Sequence, residues 1–483
     1  MHRGILFFVG AAVVGTLHAA AVYQANGIKI GEVTQSQAVV WTRLTEAADA
    51  RRDGTPFVEV AKHKGIHDAV AGGQIPPGKT LAEMQYAVPG AAGSVRVQWW
   101  PEGKRALAQS TDWTPVAAAA DFTAQVPLKN LHAGTHYELA VESRDASGQG
   151  GASVEGKFMT PPEPSDARPI RFVITTCHDD WRRDNEQNGF DAYAAITAWR
   201  PDFFVHTGDY VYLDKYYPFA VNAALARFKW NRTSAWPFVR EFYRGTSSYF
   251  IKDDHDILKN DTAPGETYGD LNFKTGLDIE YEQLPMPRDP PYRRVRWGRH
   301  LEVWLIEGRE FRHKKGGQRT LLGPEQKRWL MTTLTQSDAT FKVVISGDAI
   351  VGPNVDYKKG DKGDSLSDEA FEAEGAEIRS FLAAQKNVFV VAGDRHWQYH
   401  SVDPKSGLNE FGCGPFCFGM AEGFVNKVRR SPMHRFLRID GGFFSGEIAL
   451  AADGTPSLTL QHHDTHGAVV YEYRWPLEGA PRE

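Results

Sequence analysis

Cysteine is scarce in this chain: Cys177, Cys413 and Cys417 are the only three in 483 residues. A protein of this length with so few cannot be a scaffold built on disulfides, so its core must come from apolar packing. Cys413 and Cys417, in "GCGPFCF", could pair in an oxidising compartment and would leave Cys177 over. Long basic blocks are absent as well, and the net charge is -5. Without a clustered positive face, nucleic-acid binding is disfavoured. After residue 21 no apolar run approaches the roughly 20 residues that a membrane-spanning helix needs. No repeat of fixed period is visible, which excludes a solenoid array.

What is present fits a soluble globular protein: 42% hydrophobic and 24% charged residues. The length exceeds one ordinary core, so two or three domains are expected. The start, "MHRGILFFVGAAVVGTLHAAA", places Arg3 before an apolar stretch from Ile5 to Leu17, followed by Ala19, Ala20 and Ala21. That order of charge, apolar stretch and small residues is that of a secretory signal peptide over residues 1–21. An exported protein, periplasmic or secreted, is the corresponding expectation. A retained membrane anchor is the alternative, though the stretch is short for one.

Residues 22–160 read as a β domain. The segments 38–44, 95–100, 122–128 and 135–143 alternate apolar and polar residues as half-buried strands do. "KNLHAGTHYELAV", with a leucine, a glycine turn and a tyrosine ahead of a strand, resembles the corner of fibronectin III and immunoglobulin-like β-sandwiches. Residues 46–94 look like a long insertion, and the proline-rich stretch 160–169 marks a boundary. From 170 to 483 the pattern changes. Apolar runs without alternation at 171–176, 202–207, 301–307, 341–346 and 387–392 suggest strands buried on both faces. Helix-like stretches at 190–200, 323–337 and 367–385 lie between them, giving an α/β layered domain.

The informative regularity is what ends each run. One leads into Cys177-His178-Asp179, another into Gly208-Asp209-Tyr210. Two more lead into Gly347-Asp348 and Gly393-Asp394-Arg395-His396. Open α/β sheets bind ligands outside the carboxyl ends of their strands. Carboxylates and an imidazole gathered there suit a metal cluster, since Asp oxygens take hard cations and histidine extends the range to iron, zinc and manganese. A crowd of acids without cations would repel itself. The acidic loop "IKDDHDILKND" (251–261) follows a short apolar run and adds Asp253, Asp254, His255, Asp256, Asn260 and Asp261 to the candidates.

With these motifs in order, residues 22–483 resemble the alkaline phosphatase D (PhoD-type) family, a branch of the calcineurin-like metallophosphoesterases. The matching stretches are Cys177 after a strand, "GDYVY" (208–212), "DDHD" (253–256) with Asn260, 293–312, "LLGPEQKRWL" (321–330) and "GDRH" (393–396). The resemblance implies a layered α/β catalytic domain behind a small β-sandwich. It implies an exported phosphatase or phosphodiesterase that hydrolyses phosphate esters with water activated by two metals. Cys177, Asp209, Tyr212 and His396 would hold one ion, favouring iron(III). Asp209 would bridge to a second site made by Asp254 and Asp394, with Asn260 as a further candidate. That site suits calcium, with zinc, manganese or magnesium as other divalent choices. His255 would face the phosphate as the catalytic residue, and Arg309, Arg312 or Arg395 would contact its oxygens. The substrate would be a small-molecule, lipid or polymer phosphate ester, with monoester or diester preference open.

Plainer readings stand beside these. Asp253, Asp256 and Asp261 suit loop shaping better than metal binding. Cys177 as an inert core thiol, Tyr212 as a packed aromatic and Asp348 as ligand, substrate contact or bystander stay open. His400 and the "HH" at 462–463 read as structural. A binding or adhesion protein with a decayed phosphoesterase domain is the rival function, weakened by the intact set Asp209, Asp254, His255, Asp394 and His396.

Overall fold

The computed structural model describes residues 21–60, 73–313, 319–353, 355–356, 360–361, 363–417 and 431–477. Nearly all of the expected signal segment, residues 1–20, lies outside them, as do residues 61–72 of the insertion.

Strand residues with apolar side chains on both faces need cover on both sides, and two large sheets provide it. The first has nine strands, in the order Val469–Arg474, Pro456–Asp464, Gly442–Leu450, Ile170–Thr175, Phe203–His206, Ser247–Phe250, Ile28–Gly31, Gln37–Arg43 and Thr123–Lys129. Its middle is parallel from Ile170–Thr175 to Ile28–Gly31, with antiparallel strands on either flank. The second has seven: Arg293–Trp297, Leu301–Leu305, Phe341–Ser346, Val388–Ala392, Asn409–Cys413, Gln398–Val402 and His434–Arg438.

Alternation along each strand sorts side chains into layers. Phe172, Ile174, Phe203 and Val205 of the first sheet share one core with Val303, Leu305, Val343, Ile345, Phe389 and Val391 of the second. Val173 and Phe204, on the opposite face, pack under the helices Asp191–Trp199, Ala223–Ser234, Pro237–Tyr243 and Phe273–Gln283. Val344, Val388 and Val390 pack under Gly323–Gln336 and Glu372–Ala383. The result is helix, sheet, sheet, helix. Each fully buried Phe, Leu, Ile or Val contributes roughly 1.5–3 kcal/mol to that arrangement.

A third sheet joins Gln109–Ser110, Gly93–Pro101, His136–Asp145 and Gly150–Met159, with Thr114–Val116 also on Gly93–Pro101. Its Val95, Val97, Leu139 and Val141 belong to the same core as Ile28, Ile30, Val40 and Val126. The Tyr137 hydroxyl accepts from the His132 N–H at 2.9 Å, which closes the corner legible in "KNLHAGTHYELAV". Ile28–Gly31 pairs in parallel with Ser247–Phe250, so backbone hydrogen bonds tie the first strand to the later half of the chain.

All three cysteines are free and buried. The Cys413–Cys417 pair considered above is therefore not made. Cys413 ends a buried strand, whereas Cys417 Sγ lies 3.7 Å from the Asp179 carbonyl. No helix among the described residues is long and apolar enough to cross a membrane.

Candidate metal centre

Register aligns the strand ends. His206 pairs with both Thr175 and Phe250, and Ser346 pairs with Ala392. Loops carrying Cys177, Asp209 and Asp253–Asp256 therefore leave one sheet side by side, and those carrying Asp348 and Asp394 leave the other. The two edges touch. A Cβ on Gly393 would sit 2.4 Å from Thr207 Oγ1 and 2.7 Å from the Gly347 carbonyl. One on Gly208, at φ +101°, would sit 2.4 Å from the Asp253 nitrogen. Only glycine fits either place.

Cys177, Asp209 and Asp394 share an uncommon backbone state, with φ of +56°, +57° and +54°. Left-handed geometry costs a non-glycine residue on the order of 1–3 kcal/mol. Three such residues at three strand ends mark a region where the fold holds side chains against local preference. The loop 251–261 is organised differently. Asp253 caps a short helix, Asp254–Ile257, by accepting from the Asp254 N–H at 2.9 Å. Asp256 accepts from the N–H groups of Asp209 (2.6 Å), Val211 (3.0 Å) and Asp253 (3.0 Å). Asp256 thus fixes the backbone of the neighbouring loop. Burial raises its carboxyl to about 6, with those N–H groups pulling the other way.

Among the described residues, donor atoms gather in three groups, each within 4.8 Å: Cys177, Asp209 and His396; Asp209, Asp254 and His255; Asp253, Asp348 and Asp394. Asp209 belongs to the first two. Its Oδ2 lies 3.5 Å from Cys177 Sγ and accepts from the Tyr212 hydroxyl at 2.9 Å. That hydroxyl is 3.3 Å from His396 Nε2, so Tyr212 joins the first group. Burial, and then Asp254, Asp256 and Asp394, push the Asp209 carboxyl well above the usual range, against the pull of His255. Cys177 and Tyr212 are pushed well above theirs, by burial first and then by Asp209. Crowded, buried donors that resist ionising alone are what a cation would stabilise. The residues present fit metal ions.

His255 is oriented by a residue that sequence reading missed. Its Nδ1 shares a 2.5 Å hydrogen bond with Asp214 Oδ1, and its Nε2 lies 3.9 Å from Asp254 Oδ1. A carboxylate holding the far nitrogen of an imidazole fixes its tautomer and direction. Burial opposes charge on this ring, but Asp214, Asp254 and Asp209 raise it to about 9. The only signal for Asp214 was an acid two residues beyond "GDYVY".

The remaining candidates fall elsewhere. Asn260 is exposed, and its backbone N–H donates to Asp214 Oδ2 at 3.3 Å. Asp394 groups with Asp253 and Asp348 instead of with Asp254. Arg309 is fully buried between Asp253 and Asp348, its Nη2 2.6 Å from Asp348 Oδ1. Arg312 donates to the carbonyls of Thr262 and Gly363. Arg395 lies 3.4 Å from Asp394 Oδ2 and over the Trp397 ring. His400 bridges Tyr471 and Asn409, while His462 and His463 face Gly412 and Ser445, all within the sheets.

The sequence model for PhoD-like phosphatases matches residues 172–430, more than half of the chain. The protein belongs to the PhoD-like phosphatase family. It is a metal-dependent phosphoric ester hydrolase by that membership. Among solved structures it is similar to PhoD, at 16% identity and a TM-score of 0.66, over 94% of this chain and 93% of that one. It is also similar to the purple acid phosphatase PPD1 of yellow lupin (Lupinus luteus) seeds, at 14% identity and a TM-score of 0.60, over 92% and 73%. These likenesses show the shared mixed α/β fold. A comparison with curated protein sequences gives no significant match.

Proposed function

We propose that this PhoD-like phosphatase is an exported hydrolase of small phosphate esters that works with two metal ions. The observation that carries it is Asp209, a single carboxylate common to two donor groups. Metal pairs about 3.5–4 Å apart, sharing a bridging ligand, serve in-line displacement at phosphorus. Cys177, Asp209, Tyr212 and His396 would hold one ion. Asp209 and Asp254 would hold the other. When bound, the ions supply Lewis acidity to the phosphoryl oxygens and lower the pKa of water.

The chain's own groups do the rest. Tyr212 and the backbone pinned by Asp256 orient Asp209. Asp214 holds His255 with Nε2 towards the carboxylates, where it steadies charge or protonates the departing oxygen. Phenolate and thiolate donors together favour iron(III) at the first site, and the oxygen-rich second site suits calcium. The fibronectin III-like sandwich reading of residues 22–160 is supported by the Tyr137 corner. Export rests on the order of residues in the first 21 positions; finding the uncleaved chain in the cytoplasm would overturn it.

The test joins activity to metal content. The purified protein should hydrolyse 4-nitrophenyl phosphate or its bis-aryl diester, lose turnover on chelation and regain it when iron and calcium return. Iron(III) at the Tyr212 site should give a visible charge-transfer band that Tyr212→Phe removes. An active protein without bound metal would sink the mechanism. A colourless, iron-free active one would sink the iron assignment alone.

A further inference from the structure

A cavity of ≈ 380 Å³ is lined by Pro56, Phe57, Tyr86, Trp181, Tyr217 and Arg183, among others. Two of its walls lie on the loops that carry Cys177 and Tyr212. Trp181 follows Cys177 by four residues, and Tyr217 follows Tyr212 by five. At no more than about 3.5 Å per residue, Trp181 lies within about 14 Å of Cys177 and Tyr217 within about 17 Å of Tyr212. The third wall, with Pro56, Phe57 and Tyr86, comes from the 46–94 insertion, to which the chemistry above gave no role.

Trp181 is the telling residue. The residue is 46% exposed, yet it is not loose. The indole N–H donates to the Tyr217 carbonyl at 3.0 Å, and the ring leans on Tyr216 with centroids 5.4 Å apart. Tyr216 in turn meets Arg182 Nε at 3.1 Å. An anchored indole left partly open to water is a ready stacking surface. Of the two arginines that line the cavity, one is matched by an acid and the other lies against rings. Arg232 pairs with Asp180 at 2.6 Å, and Arg183 lies over the rings of Tyr86 and Trp236. The remaining lining acids, Glu59 and Glu186, disfavour a second anionic group.

We propose that this cavity is a subsite for a flat aromatic group carried on one arm of the phosphate ester, stacked against Trp181. It rests on the hydrolase reading above and names its substrate class: esters with an aryl or nucleobase-like ring set several bonds from phosphorus. The insertion then acts as the specificity element, building one side of a slot whose other side is the rim of the metal centre.

Phosphonates are not hydrolysed, so they separate binding from turnover. Phenylhexylphosphonate and hexylphosphonate are compared on the metal-loaded full chain, by inhibition of 4-nitrophenyl phosphate hydrolysis and by calorimetry. The ring should improve binding about ten-fold, in line with the worth of one stacking contact. Trp181→Ala should erase that advantage while Trp181→Phe keeps most of it. Both variants should keep the parent's metal content and its affinity for hexylphosphonate, so that the loss is specific to the ring. Equal binding of the two phosphonates by the parent, or an advantage that survives Trp181→Ala, would overturn the subsite. A parent that binds phosphonates but hydrolyses no ester would overturn the proposed function, and calorimetry would still decide the subsite.

Discussion

Asp209→Asn is expected to leave a folded protein with almost no turnover. Asparagine keeps the size and shape of the side chain and removes its charge. Asp209 alone belongs to two donor groups, and it contacts Cys177, Tyr212 and the His255 N–H. Losing a shared ligand forfeits several kcal/mol of charge stabilisation, and each 1.36 kcal/mol is ten-fold in rate, so the loss should be about a thousand-fold or more. Bound metal should fall in the same sample. Stability of the chelated protein should hold or rise. The reason is that burial, with Asp254, Asp256 and Asp394 beside it, already disfavours the charged form of this carboxyl. Activity within ten-fold of the parent would remove Asp209 from the centre. Lost activity together with collapse of the chelated protein would mean that its role is structural.

The strand ends were legible because composition and punctuation coincide there. An unbroken apolar run followed by glycine and aspartate, found at Asp209, Asp348 and Asp394, needs no long-range knowledge to read. The structure brings those three ends together with Cys177 and His396, and it separates the acids of "IKDDHDILKND" by role. Asp254 and His255 enter a donor group with Asp209, Asp253 joins a different one, and Asp256 serves the backbone. Local sequence cannot distinguish these, since all are Asp or His within four residues. What decides is the direction imposed by a one-turn helix and its cap. Asp214 was missed for the same reason: its partner His255 is 41 residues away.

The edges of the fold were less legible than its middle. Ile28–Gly31 is apolar but short, and its partner Ser247–Phe250 lies more than 200 residues on. Nothing in either segment announces the other. The helices Ala223–Ser234 and Phe273–Gln283 were missed because buried polar residues blur their periodicity. Lys229, Asn231 and Arg232 are buried in the first, Glu280 and Gln283 in the second. Lys229, Asn231 and Gln283 are held by partners elsewhere in the chain, the Lys215 carbonyl and Asp121.

Arg309 offers a test of whether charge balance or substrate contact explains a buried cation beside the centre. As a phosphate-binding residue it would affect turnover and leave stability alone. Its position argues the reverse. The guanidinium is fully buried and sits between Asp253 and Asp348. Removing one partner of a buried ion pair typically costs about 3–5 kcal/mol, because the other charge is left uncompensated. Where these carboxyls are ionised, above about pH 8, Arg309→Leu should therefore lower the unfolding free energy of the chelated protein by that order, and Arg309→Leu with Asp348→Leu should recover part of it. The pH dependence gives an independent sign. Burial raises Asp348 to about 8, even with Arg309 pulling it down and Asp394 pushing it up. A carboxyl raised in the folded state binds a proton that the unfolded chain has released, so stability falls as pH rises from the ordinary aspartate value through the folded one. Without Arg309 that penalty should grow. The gap that Asp348 adds between parent and variant should be small near about pH 6 and widen above about pH 8, where the parent's Asp348 ionises beside Arg309 and the variant's stays protonated. If the variant instead unfolds like the parent at both and loses only turnover, Arg309 belongs to the substrate.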